Sequence, residues 1–339
     1  MRLNVEKYLI INRCHTDNLG DRIIGHTMNM LFKRMQIEVF QADYVFSPNI
    51  NNDASMISRI MYVYKCIKKI KKCNKVIIGG GELLSSTKSF FGAFVRWNRL
   101  MRRYNPNAEK YLFSVGVQGP FDAAQIKYIQ ETLKGYKGIY LRDHKSIQLI
   151  NTITNDAISH KIHYIPDCVF NIYSNNEAPK EELALFSLTG LKRHNKHGYI
   201  RFDSDVDLYE YYYNLLETIK RRYQCSIKLF YNTKDDKSAV YGFKEYISEK
   251  YHMVIPIIDI EDEETLISII SKSKVLVSPR MHACILGLVY GADLIPIRLS
   301  EKMNDFCDLY CDKSVNIDDL RSVINEGVNS IVYGEKQHF

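Results

Sequence analysis

Short apolar runs alternate along the chain with stretches in which apolar residues recur every three or four positions. The first run, residues 8–12 (Tyr-Leu-Ile-Ile-Asn), reads as a buried strand. After a polar turn, residues 21–35 carry Ile23, Ile24, Met28, Leu31, Phe32 and Met35 at helical spacing. The alternation continues with strand runs at 38–40, 75–78, 110–115, 138–141 and 163–165. Helices are predicted over 55–72, with Asp53 and Ser55 as cap candidates, and over 90–104, 122–133 and 143–150. Asn105-Pro106 ends the aromatic helix, because the residue before a proline avoids helical geometry. Residues 173–182 are polar and carry little apolar content, which makes them the linker candidate. Beyond them the pattern restarts, with strands at 183–188, 226–230, 254–258, 275–277 and 294–299, the last broken by Pro296. Helices follow at 208–223, 236–250, 263–271 and 318–331.

Strands that alternate with helices of ten or so residues imply βαβ units and parallel sheets. The expectation is an α/β protein with two Rossmann-like domains, 1–175 and 183–339, facing a central cleft. The final helix is free to pack back on the first domain. At 339 residues the chain is too long for one ordinary core, which agrees with two domains. In open α/β sheets ligands bind beyond the carboxyl ends of the strands, so the loops after strands deserve the closest reading.

Composition narrows the field modestly. The formal charge of +7 from 46 basic and 39 acidic residues does not suggest a nucleic-acid binder, though it suits an anionic substrate. Part of the excess lies in residues 65–72 (Lys-Cys-Ile-Lys-Lys-Ile-Lys-Lys), which read first as a solvated helix face and second as a membrane-surface patch. The eight cysteines are scattered and form no CxxC, which argues for a reducing compartment and against a zinc ribbon. Residues 1–7 carry no apolar signal region, and no stretch reaches the length of a membrane span, so a cytoplasmic location is expected.

Several post-strand loops carry residue types suited to chemistry. Ser278-Pro-Arg-Met-His282 breaks a strand at a proline and delivers Arg280 and His282 into the start of an apolar helix. A helix N-terminus attracts anions, Arg280 adds a planar fork for phosphate or carboxylate, and His282 is a candidate proton carrier. Asn18-Leu-Gly-Asp21 opens a helix after the first strand, with Asp21 as cap or hydroxyl ligand. Gly79-Gly-Gly-Glu82 follows the third strand, where Gly80 and Gly81 allow backbone to approach a ligand or a neighbour. Leu141-Arg-Asp143 ends another strand; a structural pair of Arg142 with Asp143 is one reading, and an outward anion-binding Arg142 is preferred. Asp167, after Pro166, is a turn residue or a hydroxyl acceptor.

Other candidates are weaker. His194 and His197 fall in a basic loop, 192–197, expected to be exposed. The acidic run 261–264 opens a helix, where carboxylates suit the dipole, and no His-x-x-x-His accompanies it, so no metal site is expected. The aromatic segments 90–97 and 209–213 read as core before sugar platforms.

Taken in order, Asn18/Gly20/Asp21, Gly79 to Gly81, Gly116/Gly119/Pro120, Arg142/Asp143/Ser146, Asp167, Ser278/Arg280/His282 and Lys302 resemble the motifs of the polysaccharide pyruvyl transferase family. The resemblance spans about residues 8 to 306. Residues 183–190 depart from it in lacking a basic substrate residue. It implies a GT-B-like fold and transfer of the pyruvyl group of phosphoenolpyruvate onto two sugar hydroxyls, with release of phosphate and no cofactor. The acceptor implied is a nucleotide- or lipid-linked saccharide. His282 and Arg280 are then the catalytic candidates. Arg142, Arg280, Lys302, Gly80 and Gly81 hold the donor, and Asn18, Asp21 and Asp167 face the acceptor. Two other readings stay open: a glycosyltransferase with a nucleotide-sugar donor, and a non-catalytic glycan-binding protein.

Overall fold

The computed structural model describes residues 6–50, 54–172, 179–197, 200–312 and 315–334. The described residues divide into two compact units. One draws on 1–16, 21–171 and 318–339, the other on 17–20 and 172–317.

The first unit holds a parallel sheet of β1 (Lys7–Asn12), β2 (Glu38–Asp43), β3 (Lys75–Ser85), β4 (Glu109–Gln118), β5 (Gly138–Leu141) and β6 (Ile162–Tyr164). Their order is β2-β1-β3-β4-β5-β6. The connecting helices are α1 (Leu19–Arg34), α2 (Met56–Lys72), α3 (Lys88–Tyr104), α4 (Ala123–Leu133) and α5 (His144–Thr154). Leu9, Ile10, Ile11, Val76, Ile77 and Ile78 are all buried, so consecutive side chains on both faces of these strands are covered. That is why the strands read as unbroken apolar runs without alternation. The aromatic run of α3 is core: Trp97 is fully buried, stacks on Phe46 and donates from its indole nitrogen to the Tyr44 carbonyl.

The second unit repeats the plan with β7 (Glu181–Ser187), β8 (Ser226–Phe230), β9 (Ser273–Ser278) and β10 (Asp293–Pro296), all parallel, in the order β10-β9-β7-β8. Its helices are α6 (Leu191–His197), α7 (Asp205–Tyr223), α8 (Lys234–Tyr251), α9 (Glu263–Lys272), α10 (Met281–Val289) and α11 (Glu301–Tyr310). The last helix, α12 (Ile317–Tyr333), returns to the first unit from Asp318 onward. There Lys75 Nζ donates to the Ile331 carbonyl, Asn171 bonds Asn325, and a side chain at Gly327 would strike Ile165. The described residues from Asp318 onward therefore belong with the first unit.

Both sheets have the same switch. The second strand lies outside the first, and the third pairs on the first strand's other side, as β2-β1-β3 and β8-β7-β9. At such a switch the loops after the first and third strands diverge to opposite faces and leave a crevice at the carboxyl edge. The loops in question begin after Asn12 and in the glycine-containing half of β3 in the first unit, and after Ser187 and Ser278 in the second.

Three local expectations change. Residues 254–258 form no strand; Ile257 makes only an isolated bridge to Leu229, because Pro256 in the middle of the run has no N–H to give a ladder. The run at Gly79 does not end its strand, since β3 continues to Ser85 with a register shift between Gly81 and Leu84. Residues 192–197 belong to helix α6, and His194 is buried with Nε2 against the Ile200 carbonyl. Of the expected linker, residues 173–178 lie outside the described residues, as does the cap candidate Asp53; Ser55 caps α2.

Candidate functional site

The second unit gathers three loops at the carboxyl edge of its sheet. β9 ends at the buried Ser278, whose hydroxyl accepts from the Arg280 backbone N–H at 3.1 Å and from the Ser187 hydroxyl at 2.8 Å. Those bonds tie the two strands of the switch together and fix where the chain turns. Arg280 then takes the N-cap position of α10 without using its side chain as a cap. Its guanidinium reaches across to α8, where Nη2 bonds the buried Asp236 carboxylate and lies 3.4 Å from Thr233 Oγ1. Thr233 is itself the cap of α8, accepting from the Asp236 N–H. Arg280 Nε is buried without a hydrogen-bond partner. A charged donor left in that state calls for a further acceptor.

The third loop is Asp17 to Gly20. Leu19 N–H donates to the Asn232 carbonyl at 3.0 Å, and Lys234 N–H points at Asp17 Oδ2, so the loop sits on the turn that starts α8. Asn18 Oδ1 accepts the Gly20 N–H at 3.0 Å, which makes Asn18 the residue that closes the start of α1, in place of Asp21. Gly20 lies directly against the His282 ring: a Cβ built there would be 2.4 Å from Nδ1 and 3.1 Å from Cγ. The first and last motifs of the chain are thus in contact. His282 is half-buried in the first turn of α10, with its Nδ1 edge pressed to backbone.

The first unit has its own cluster. Arg142, at the end of β5, is buried, with Glu82 Oε1 2.9 Å from Nη2, Asp167 Oδ2 3.3 Å from Nη1 and Asp143 Oδ2 3.7 Å from Nε. Burial works against its charge, but Glu82, then Asp167 and Asp143, outweigh it and hold the guanidinium above its ordinary pKa. The outward, anion-seeking Arg142 expected from sequence is therefore corrected. Sequence neighbours do not face each other on a helix, but Arg142 is at a strand end, and the bend that follows brings Asp143 back towards it. Asp143 also caps α5 through the Ser146 N–H, Ser146 Oγ accepts the Val117 N–H, and Asp167 Oδ1 accepts the Val169 N–H. The whole motif locks β4, β5 and the turn after β6.

The glycine run divides by role. At Gly79 and Gly80 the space for a side chain is taken by Met28 and Ile24 of α1, with Gly80 at a φ of +72°. These two serve helix–sheet packing. At Gly81 a Cβ would touch nothing closer than Ile24 at 3.6 Å and Asp21 Oδ1 at 3.9 Å, so Asp21 and Gly81 approach each other as the sequence motifs suggested. Lys302 stands in the first turn of α11 behind the Ser300 cap, on a different element from Arg280.

A profile of known polysaccharide pyruvyl transferases matches residues 18–301. The chain belongs to the polysaccharide pyruvyl transferase family. It is a pyruvyl transferase, and the matched span runs from Asn18 of the first loop through β9 and α10 to the start of α11. A search of curated sequences gave no significant match. Among solved structures, the chain resembles the UDP-GlcNAc 2-epimerase of Methanocaldococcus jannaschii, with a TM-score of 0.53, 12% identity and 97% and 99% of the two chains covered. It also resembles the UDP-GlcNAc 2-epimerase of Neisseria meningitidis bound to UDP-GlcNAc, with a TM-score of 0.50, 10% identity and 97% and 92% covered. At such identities the likeness is one of fold, here the GT-B type built from two Rossmann-like units.

Thr233 and Asp236, which hold Arg280, escaped the reading of the sequence. Their signal was present: Thr-x-x-Asp directly after the β8 run is a helix-start pattern at the carboxyl end of a strand. Nothing local, however, says that Asp236 serves an arginine 44 positions away.

Proposed function

We propose that this pyruvyl transferase moves the pyruvyl group of phosphoenolpyruvate onto two hydroxyls of a sugar in a surface-polysaccharide precursor, carried on a nucleotide or a lipid. One sugar hydroxyl gives up its proton and bonds through oxygen to C2, while C3 takes a proton and becomes the methyl group. A second sugar oxygen then bonds to C2 as the C2–O bond to phosphate breaks, and its proton leaves with the phosphate. The product is a ketal. No electrons change hands, and no metal or redox cofactor is needed for the balance.

The observation that supports this most is Arg280 with its buried, unpartnered Nε beside His282 at the switch of the second sheet. A small polyanionic donor needs a fixed cation and a proton carrier together. Arg280 takes the donor's charge, and Asp236 holds the fork in place. His282 moves the proton. Asp21, near Gly81, and Asp167 are the acceptor candidates of the first unit, with Asp167 already sharing Arg142.

The test is phosphate release from phosphoenolpyruvate in the presence of a saccharide acceptor. Release that depends on acceptor supports the assignment, and its absence across acceptors overturns it. Because the fold neighbours include enzymes of UDP-sugars, a UDP arm is informative: a melting temperature raised by UDP and not by phosphoenolpyruvate would assign a nucleotide-sugar donor. Arg280→Lys is the appropriate probe of donor charge, since Arg280→Ala would strand the buried Asp236. We expect its donor KM to rise far more than kcat falls.

Gly20→Ala tests the contact between the two motifs. The new Cβ cannot coexist with Nδ1 where it stands, so the His282 ring must turn. Alanine suits a first helical turn, so the fold should persist while kcat drops about a hundredfold, the cost of a misplacement near 1 Å. Circular dichroism with steady-state kinetics separates the two effects, and an unchanged kcat would remove His282 from the chemistry.

A further inference from the structure

Helix α2 shows the solvent an unusual surface. Among the described residues, Met56, Ile57, Ile60, Met61 and Tyr64 are five of the twelve exposed large hydrophobics, at 78%, 75%, 60%, 51% and 52% exposure. Five within nine positions is a patch, unlike the scattered remainder, and a patch of this kind on a soluble surface marks a contact. The inner face of the helix, Tyr62, Cys66 and Ile70, already fills its place in the core, and the apolar residues of the outer face are additional to it.

The outward rows then change character along their length. Met56, Ile60, Tyr64, Lys68 and Lys72 stand at i, i+4 spacing, and Ile57, Met61 and Lys65 form the row beside them. Each row is apolar in the first half and cationic in the second. Lys71 is exposed as well and packs over Tyr104, which Arg103 of α3 also contacts, so the basic end continues onto the neighbouring helix. Helix α2 has no acidic residue. Lys69, by contrast, is turned inward to the Gln41 carbonyl and takes no part.

We propose that α2 docks the protein on an anionic lipid bilayer, with its first half dipped into the headgroup–acyl boundary and its lysine half level with the phosphates. The charge decides the occupant. A purely apolar partner would leave four exposed lysines and Arg103 unmatched, whereas a lipid surface supplies acyl chains and phosphates at two depths. Interfacial helices bury their apolar part by about 5–10 Å, and the first nine residues of α2 span roughly 13 Å, so a modest tilt reaches that depth. No helix among the described residues is long and apolar enough to cross a membrane, so the contact is peripheral. This inference does not rest on the donor or acceptor proposed above.

The full chain, without substrates, is sedimented with vesicles of phosphatidylcholine alone or of phosphatidylcholine mixed with phosphatidylglycerol. We expect binding to the anionic vesicles only, weakening as salt is raised. Lys68→Gln with Lys72→Gln should lower partitioning about 25-fold, near fivefold per lysine. Ile57→Ser with Ile60→Ser should lower it at least tenfold. All four positions are exposed, and unaltered circular dichroism verifies the fold of each variant. Failure to bind anionic vesicles, or equal binding to neutral ones, overturns the proposal. So does a concentration-dependent dimer that the isoleucine variant abolishes while vesicle binding is unaffected, since the face then belongs to a second copy.

Discussion

His282→Ala should lower kcat for phosphate release by about a hundred- to ten-thousandfold and leave the donor KM nearly unchanged. The size follows from what a positioned acid–base group contributes, and the pattern follows from where the ring is. His282 follows Arg280 by two residues in the first turn of an apolar helix, and in the proposed function Arg280 carries the charge that binds donor. Removing the imidazole should therefore spare binding and affect the step in which C3 gains its proton. A His282→Gln variant keeps a polar side chain in the same space and should be nearly as slow, because an amide does not exchange protons at neutral pH. If kcat survives both changes, the ring is a packing residue for Gly20 and the proton carrier is elsewhere. If KM rises in step with the loss of kcat, His282 belongs to donor binding. Steady-state kinetics over a range of phosphoenolpyruvate concentrations distinguishes the three outcomes.

The fold was largely legible because the central parallel strands are covered on both faces and so leave unbroken apolar runs, as in Val76-Ile-Ile78 and Val275-Leu-Val277. Where the run contained a proline the reading failed, at Ile255-Pro-Ile257, since apolarity reports burial and not ladder pairing. The site was legible to the extent that its chemistry is local. Arg280 and His282 share one turn and could be seen together. The contact of Gly20 with His282 joins residues at opposite ends of the chain and has no local signature. The glycine run was ambiguous for a similar reason: three small residues fit a ligand or a helix equally, and it took Met28 and Ile24 to show that a helix occupies two of the three positions. Arg142 was misread because two of its three carboxylate partners, Glu82 and Asp167, are distant in sequence and reach it only once the sheet is formed.

That last error leads to the second large effect, on stability. Arg142→Met should destabilise the first unit by about 3–5 kcal/mol, the cost of breaking a buried ionic cluster by removing the cation that three carboxylates share. Glu82, Asp143 and Asp167 would lose the guanidinium they share, Asp167 in an almost wholly buried position. Two features separate this from a loss of substrate binding. First, the deficit should narrow as pH is lowered into the carboxylate range, because like charges in a buried site raise each other's pKa and protonation relieves the variant more than the parent. Second, adding Glu82→Gln and Asp167→Asn to Arg142→Met should recover part of the loss, since amides can share hydrogen bonds where carboxylates repel. An Arg142 that served mainly to attract an anion would behave in the opposite way: its replacement would raise the donor KM and leave the denaturation midpoint where it was. Urea titration at neutral and mildly acid pH, run beside the kinetics, decides between the two. The three carboxylates already within 4 Å of the guanidinium favour the first.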